Sequence, residues 1–395
     1  MSRKLSLTAL SLALLSSAAL ADPHFVIAPT CLANQVHAGQ TTLASDNKLA
    51  FIKTDEAGIT QLIKAKHNHT ATPCGGFMDV TEAWQKQSQP AAKFLSNYSQ
   101  SKTALLKKND YKIQYNAQVN ALISTMNPQN MWANLTTLTS FPTRYAASED
   151  GVKTAKWIQT TVENMAKEAN RTDVSFRTVE TGKRYTQPSV VVKIGKGDQP
   201  GVVIGGHMDT LSAWWGNMPG ADDDGSGSVT VLELARVLLN SGMEFKKPIY
   251  LVWYAAEEEG LYGSQAVVAD FKAKKIAVDS VLQLDMTGYT KDLTMWLIKD
   301  YTNPDLTKYL EKLITTYVKK PVQYTQCGYA CSDHASWTEG GFASAFPVET
   351  AFGDDNPDIH TANDTMDKLS LEHMASYEKL AIAFAVERAE PVIKG

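Results

Sequence analysis

Gly220-Ala221-Asp222-Asp223-Asp224-Gly225-Ser226-Gly227 sets three adjacent carboxylates between glycines, directly before a helix-like run from Val229 to Leu239. Adjacent like charges repel one another, so a folded chain needs a counter-charge, and a bound cation commonly supplies it. A lone acidic triplet is more often a surface turn. The interpretation therefore depends on the stretches that lie upstream and downstream of this one.

Length and composition predict one large core plus a smaller unit. The chain has 395 residues, of which 44% are hydrophobic, and its formal net charge is −4. A nucleic-acid surface would need a clustered basic excess, which this sequence lacks, so we expect no nucleic-acid partner. No apolar run after the N-terminus is long enough to span a membrane. We expect a monomer.

Residues 1–21 have the features of a signal peptide. Arg3 and Lys4 supply the positive start, residues 5–15 are apolar, and residues 19–21 form a small-x-small cleavage site before Asp22. The competing interpretation is a short N-terminal core helix. The signal predicts that the protein is secreted, either extracellular or periplasmic in transit.

Four cysteines in an exported chain favour two disulfides. Pairing by proximity joins Cys31 to Cys74 and Cys327 to Cys331. The second pair could instead be half of a zinc site, but no other Cys or His pair with ligand spacing lies near it. We therefore predict disulfides at both places.

Residues 22–108 form a separable block that is polar, carries its own cysteine pair and contains no glycine-rich catalytic motif. His67 and His69 lack a carboxylate partner at useful spacing and are interpreted as solvated. The charged sequence around Lys107 and Lys108 is a plausible cleavage site. The block is predicted to be an N-terminal propeptide, which would make the protein a zymogen, or an accessory region that stays attached. Residues 109–395 would then be the catalytic domain.

Strands and helices alternate from about residue 115 onward, and several strands are apolar throughout. This pattern predicts an α/β domain whose mostly parallel or mixed central sheet is covered by helices on both faces. The predicted strands are 189–194, 201–206, 248–256, 278–284, 293–298 and 341–348. The predicted helices are 117–126, 151–169, 226–239, 261–274, 304–318 and 370–390.

Metal-type ligands stand where the predicted strands stop. His207 and Asp209 follow one strand, Glu257–Glu259 follow another, and Asp285 follows a third. Ligand sites in open α/β sheets gather beyond the carboxyl ends of strands. Carboxylates and imidazole without a nearby thiolate suit zinc or manganese. Because there are more ligands than one ion needs, we expect a pair of ions that share a carboxylate, which is equipment for amide hydrolysis.

A second histidine ligand should lie further along the chain. His360 is a polar loop histidine near the end of the sheet, and His334 competes with it on chemistry alone. His373 falls in the middle of a predicted helix and is set aside.

These motifs, in this order, resemble the bacterial leucyl aminopeptidases, which are secreted two-zinc exopeptidases with one α/β catalytic domain. The resemblance covers residues 115–390, and for residues 22–108 it is only positional. It rests on the motifs Gly205-Gly206-His207-Met208-Asp209, Gly220–Asp224, Ala255-Ala256-Glu257-Glu258, Gln283–Thr287, Cys327–Trp337 and Ile359-His360-Thr361.

The resemblance implies two Zn²⁺ per chain and a role for each residue. His207 and Asp285 would hold one zinc, Glu258 and His360 the other, and Asp223 would bridge them. Glu257 would be the general base. Asp209 would orient the His207 ring, and Asp224 would follow a cis peptide bond after Asp223. His334 then becomes a structural neighbour, and Glu259, which has no counterpart, is interpreted as a solvated loop residue.

The resemblance also implies an apolar pocket for the side chain of the substrate's first residue. Peptides with a free N-terminus and a Leu-type residue would be the substrates. Asp355 stands where the family usually has an aromatic residue, so a Lys or Arg preference stays open. The pocket positions are Met286, Ile298, Tyr329, Phe346, Val348, Phe352, Asp355 and Ile359.

Other functions remain as alternatives. A one-zinc relative, such as a glutaminyl cyclase or a carboxypeptidase-type hydrolase, would bind a single tight ion and leave leucine amides uncleaved. A binding protein with the same fold would usually lack some ligands. A redox protein using Cys327 and Cys331 would depend on reductant and ignore chelators.

Overall fold

The computed structural model describes residues 23–36, 39–66, 74–99, 111–197, 199–212 and 216–393. The predicted signal peptide, His67, His69, Lys107 and Lys108 lie outside these ranges. Among the described residues, no helix is long and apolar enough to cross a membrane.

The first three ranges form a folded N-terminal unit built on a four-stranded antiparallel sheet with the order β2-β3-β1-β4. The polar block of the sequence therefore has a core of its own, in which strand residues such as Val26 and Ile52 pack against Ile59 and Leu62 of a helix. Its strands are β1 (His24–Pro29), β2 (Thr41–Ser45), β3 (Leu49–Thr54) and β4 (Met78–Asp79). Its helices are α1 (Thr30–Ala33), α2 (Glu56–Lys66), α3 (Thr81–Gln85) and α4 (Ala91–Ser99).

A six-stranded mixed sheet with the order β12-β9-β7-β8-β6-β5 forms the centre of the predicted catalytic domain. Strands β12, β9, β7 and β8 are parallel to one another, whereas β6 and β5 are added antiparallel at one edge. A smaller sheet has the order β11-β10-β13. The strands are β5 (Val174–Val179), β6 (Ser189–Ile194), β7 (Gly201–His207), β8 (Ile249–Tyr254), β9 (Val278–Gln283), β10 (Met295–Ile298), β11 (Val322–Thr325), β12 (Ser344–Ala345) and β13 (Pro347–Val348).

Helices cover both faces of the central sheet, which confirms the predicted fold class. Alternate strand residues point to opposite faces: Ile204 of β7 packs into the larger core, while its neighbour Val203 packs into the smaller one. The helices are α5 (Asn116–Ile123), α6 (Pro128–Leu138), α7 (Glu149–Glu168), α8 (Gly227–Asn240), α9 (Tyr262–Ala273), α10 (Pro304–Leu313, continued by a wider turn at Ile314–Val318), α11 (His334–Glu339), α12 (Leu371–Ala389) and a short turn at Met366–Lys368.

Helix starts follow their capping residues. The side chain of Ser148 accepts a hydrogen bond from the Gly151 N–H, and Asn303 accepts one from Leu306 at the start of α10. These bonds satisfy donors that have no partner inside the helix.

One predicted element was wrong: 341–348 is not a single strand, because the chain leaves the central sheet after β12 and joins the small sheet at β13.

The N-terminal unit packs directly onto the catalytic domain. Phe51 and Phe94 of the unit belong to one apolar cluster with Leu261 and Ala335 of the catalytic domain. The Tyr301 hydroxyl also donates to the carbonyl oxygen of Tyr98 across this interface, at 2.8 Å. The interface therefore has the apolar and hydrogen-bonded character of a core.

Candidate active site

The parallel strands β7, β8 and β9 end at the same edge of the sheet, and each delivers candidate ligands there. His207 is the last residue of β7 and is paired in register with Tyr254, which ends β8 three residues before Glu257. Asp285 lies two residues beyond the end of β9. His207, Glu258 and Asp285 are all buried. The predicted convergence of strand ends is thus present in the structure.

The acidic turn, Gly220–Gly227, lies beside the ends of these strands and contains a cis peptide bond. The peptide bond between Asp223 and Asp224 is cis, as the family resemblance implies. The carboxylate of Asp364 accepts hydrogen bonds from the backbone N–H groups of Asp222 and Asp223, at 3.0–3.2 Å. The buried guanidinium of Arg144 donates to the carbonyl oxygens of Met208 and Gly220, both at 2.8 Å. These contacts hold the turn against the end of β7.

The Asp223 carboxylate lies between two histidines. Its Oδ1 is 2.9 Å from Nε2 of His207, and its Oδ2 is 2.9 Å from Nε2 of His360. Nε2 of His207 is also 3.6 Å from Oδ1 of Asp285, and Nε2 of His360 is 3.2 Å from Oε2 of Glu258. The five predicted ligands therefore form two adjacent donor groups that share Asp223.

These donors suit bound metal ions. Asp285 Oδ1 is buried and has no hydrogen-bond partner among the described residues, while Ser332 donates to its Oδ2 at 2.6 Å. Unpaired buried carboxylate oxygens facing imidazole nitrogens are costly without a cation. The donor set contains only nitrogen and oxygen atoms, which fits zinc.

Asp209 and Asp224 contact the candidate ligands and their neighbouring backbone. Asp209 lies 3.5 Å from Nδ1 of His207 and accepts the N–H groups of Glu257 and Glu258, at 3.1 and 3.2 Å. Asp224 also comes within ligand distance of His207 and Asp285. Its oxygens, however, accept N–H groups from His207, Gly227 and Met286. Asp223, whose two oxygens face the two histidines, therefore remains the candidate for the shared position.

Glu257 is buried beside the ligands, and among the described residues no group hydrogen-bonds its carboxylate. Burial raises the pKa of the Glu257 carboxyl well above its usual value, while the charges of His207 and Lys66 act in the opposite direction. A carboxyl group in this setting holds a proton more readily than a solvated one.

The other candidate histidines lie apart from the two donor groups. His334 packs its ring 4.8 Å from that of Phe346, and burial lowers the pKa of His334 to about 3. His373 lies in α12, where its Nε2 is 3.3 Å from the carbonyl oxygen of Glu349. Both histidines therefore belong to the surrounding core.

Glu259 is not a solvated loop residue, so that prediction was wrong. Its side chain is fully buried, and the Tyr185 hydroxyl donates to it at 3.1 Å. Burial, with smaller contributions from Asp209 and Glu258, raises the pKa of Glu259 to about 8. The side chain turns inward because the Glu257–Gly260 turn is itself covered by the N-terminal unit, where Asp79 donates its N–H to the Gly260 carbonyl at 3.3 Å.

A cavity opens beside the two donor groups, and the eight predicted pocket residues all line it. Phe352 and Asp355 stand at positions more open to solvent, whereas Ile298, Phe346 and Val348 form one apolar cluster. The remaining predicted residues of the lining are Met286, Tyr329 and Ile359. Lys66, Gly76 and Phe77 of the N-terminal unit line the same cavity, which the sequence analysis did not anticipate.

The disulfide between Cys327 and Cys331 is formed as predicted, and both residues line the cavity. The predicted bond between Cys31 and Cys74 is not formed. The two residues nevertheless lie close together, since the Cys31 sulfur is 3.8 Å from the carbonyl oxygen of Cys74.

Three important residues were missed by the sequence analysis. Arg144, Asp364 and Lys66 lie outside the quoted motifs, yet each contacts the acidic turn or a ligand. Arg144 and Lys66 are single cations in irregular or polar sequence, where no local signal distinguishes them. Asp364 follows His360 by four residues, and its position in the same loop was the one available hint.

Comparison with known proteins identifies the family. Residues 189–385 match peptidase family M28. Leucine aminopeptidase 1 of Coccidioides posadasii is 38% identical over 292 residues, which is 70% of this chain and 75% of that protein. The crystal structure of the Legionella pneumophila LapA aminopeptidase is 44% identical with a TM-score of 0.83, and the alignment covers 93% of this chain and 99% of that chain.

LapB of Legionella pneumophila gives a similar result, with 41% identity and a TM-score of 0.83 over 93% of this chain and all of that one. Residues 109–395 make up less than three quarters of the sequence. The alignments with LapA and LapB therefore also include part of the N-terminal unit.

Proposed function

Because the chain belongs to peptidase family M28 and is a zinc aminopeptidase, we propose that it releases N-terminal amino acids from peptides with the help of two zinc ions. The position of the Asp223 carboxylate carries this proposal, since its two oxygens face two different histidines at equal distances. Two complete donor groups favour a two-ion site over a one-zinc relative such as a glutaminyl cyclase.

His207 and Asp285 would hold one zinc ion, Glu258 and His360 the other, and Asp223 both. When bound, such ions lower the pKa of water and polarise the carbonyl of the scissile amide. Asp209 and Asp224 keep the His207 ring and the cis turn in place through the contacts described above. Arg144 balances part of the negative charge at the turn.

Glu257 is the proposed general base. Its carboxylate accepts a proton from the attacking water as the oxygen–carbon bond forms, and the same proton is then delivered to the leaving amine nitrogen as the carbon–nitrogen bond breaks. The absence of a protein hydrogen bond to this carboxylate, among the described residues, leaves it free for both transfers. Its buried position raises its basicity for this task.

The cavity supports a preference for a Leu-type side chain. Ile298, Phe346 and Val348 present apolar surface, and the disulfide loop closes one wall. Asp355 gives a specific reason for a second candidate, a Lys or Arg preference, because it lines the same cavity. The Gly353 N–H donates to its carboxylate at 3.0 Å. That hydrogen bond offsets part of the negative charge of Asp355, so a Leu-type side chain remains the preferred substrate residue.

We also propose that residues 1–21 direct export, that the enzyme is a secreted monomer, and that the N-terminal unit is a pro-region which makes the full chain a zymogen. The test of the main proposal is release of leucine from a short leucyl peptide by purified, zinc-loaded protein, assayed both as the full chain and after limited proteolysis has removed the N-terminal unit. The N-acetylated peptide should stay intact, because an aminopeptidase needs the free amine. Equal cleavage of both peptides would refute the proposal.

A further inference from the structure

Lys66 of the N-terminal unit places its ammonium group among the carboxylates of the site. It is the last residue of α2, its side chain is 9% exposed, and its Nζ lies 2.7 Å from Oε2 of Glu258. Nζ is also 3.4 Å from the carbonyl oxygen of Glu258. A cation from outside the catalytic domain therefore contacts a proposed zinc ligand.

The segment from Gly75 to Phe77 holds this lysine in place. A Cβ atom at Gly76 would lie 3.1 Å from Cε of Lys66, so the glycine leaves room for the lysine stem. Gly75 has a φ of +70°, and a side chain there would overlap the Tyr329 ring. Phe77 packs closely against Gly260. The segment therefore lies between the loop that carries Tyr329 and the turn that carries Gly260.

The whole N-terminal unit is anchored beside this contact. The Tyr262 hydroxyl donates to the Asp79 carboxylate, and Nδ1 of His24 lies 2.8 Å from the same carboxylate. Together with the apolar interface around Phe51 and Leu261, these bonds fix the unit on the catalytic domain. Lys66 therefore reaches the site as part of a docked, folded unit.

The Lys66 side chain ends in a primary ammonium group, as does the N-terminus of every aminopeptidase substrate. Such a substrate brings a primary ammonium group into a cavity that is lined by Asp223, Glu257 and Asp285. The lysine ammonium is the same functional group on an apolar stem. Two ammonium groups at this acidic end would repel each other at short range, where water screens them little.

We propose that Lys66 is an internal ligand that occupies the subsite for the substrate's α-ammonium group, so that the N-terminal unit competes with peptide N-termini. This inference rests on the proposed function, and it names the group through which the pro-region acts. A competitor tethered in the same chain has an effective concentration in the millimolar range. Weakly binding substrates would therefore be excluded until the unit is displaced.

The first experiment compares the full-length zinc-loaded chain with its Lys66→Met, Lys66→Gln and Lys66→Arg variants. Lys53→Met serves as the control, because Lys53 is an exposed lysine on β3 of the same unit. Removing the charge should lower KM for a leucyl amide about tenfold or more, because a like-charge contact is lost, with a smaller change in kcat. The Arg variant and the control should behave like the parent. A Met and a Gln variant that both show an unchanged or higher KM would overturn the inference.

A binding measurement tests the same point without turnover. In the Glu257→Ala background, calorimetry with leucinamide should show tighter binding when Lys66→Met is added, whereas N-acetyl-leucinamide should bind equally to both proteins. Equal leucinamide affinity would contradict the inference even if the enzyme is an active aminopeptidase. Absence of leucyl amide hydrolysis in every variant would instead refute the proposed function.

Discussion

Nζ of Lys66 and Oε2 of Glu258 lie 2.7 Å apart, and this ion pair joins the N-terminal unit to the acidic end of the cavity. Both side chains are nearly or fully buried, so water screens the pair little. The unit therefore contributes to the electrostatics of the site as well as to its walls. Residues of the N-terminal unit, as well as those of the catalytic domain, therefore belong to the site.

Replacing the proposed base should separate chemistry from metal binding. Glu257→Ala is expected to retain zinc and to lower kcat by about 10²–10⁴-fold, because the proton transfer loses its acceptor. Zinc content and the rate on a leucyl amide check this, with Asp354→Ala, an exposed aspartate, as the control. Loss of zinc from Glu257→Ala would show that Glu257 is a ligand.

Replacing the shared carboxylate should remove metal and stability together. In Asp223→Ala both histidines lose their common partner, so added zinc should no longer raise the melting temperature. Binding to the folded state stabilises the parent protein by about 2.7 kcal/mol at a ligand concentration of 100 Kd. Thermal melts with and without zinc measure the difference. A zinc-induced shift as large as that of Asp354→Ala would contradict the assignment.

The buried histidines predict a loss of stability in acid. Burial lowers the pKa of His334 to about 3 and that of His373 to about 4. Below the unfolded value of about 6.5, the unfolded chain binds more protons than the folded one, so stability falls as the pH falls from 6.5. For one such group the loss between pH 6.5 and 5 is about 2 kcal/mol.

Denaturant unfolding of chelator-treated protein at pH 7 and pH 5 measures this effect. The difference between the two pH values should be smaller in His334→Gln, and also in His373→Gln, than in the parent. Variants with the same pH dependence as the parent would show that these rings do not carry the effect.

Substrate preference tests the apolar pocket. We expect a leucyl amide to be hydrolysed faster than a lysyl amide, because Ile298, Phe346 and Val348 offer apolar surface. Asp355→Asn should reduce the lysyl rate more than the leucyl rate, since only lysine brings a positive charge to this carboxylate. A many-fold higher lysyl rate in the parent enzyme would instead assign the enzyme a basic preference.

The sheet and the polar residues at its strand ends were predictable because buried parallel strands are apolar runs that end at polar residues. His207 and Asp285 stand out for this reason, and the order of motifs supplied Asp223 and His360. Edge strand β5 was missed because most of its residues are exposed or half-buried. It lacks the continuous apolar run of a buried strand.

Contacts between distant parts of the chain could not be predicted in this way. Lys66 reaches Glu258 across 192 residues, and its own surroundings in the sequence resemble any solvated helix end. Glu259 looked solvated because the N-terminal unit that covers its turn is separated from it in sequence. Arg144 donates to backbone carbonyl oxygens, and because every residue has one, the sequence does not show which residues are its partners.

In the proposed mechanism Asp223 joins two metal ions in one hydrolytic site. Metal stoichiometry, measured on the purified protein together with leucine release from a short peptide, tests it most directly. We expect two zinc ions per chain, loss of leucine release on chelation and its return when zinc is restored. One tightly bound zinc ion per chain with leucyl amides left uncleaved would contradict it.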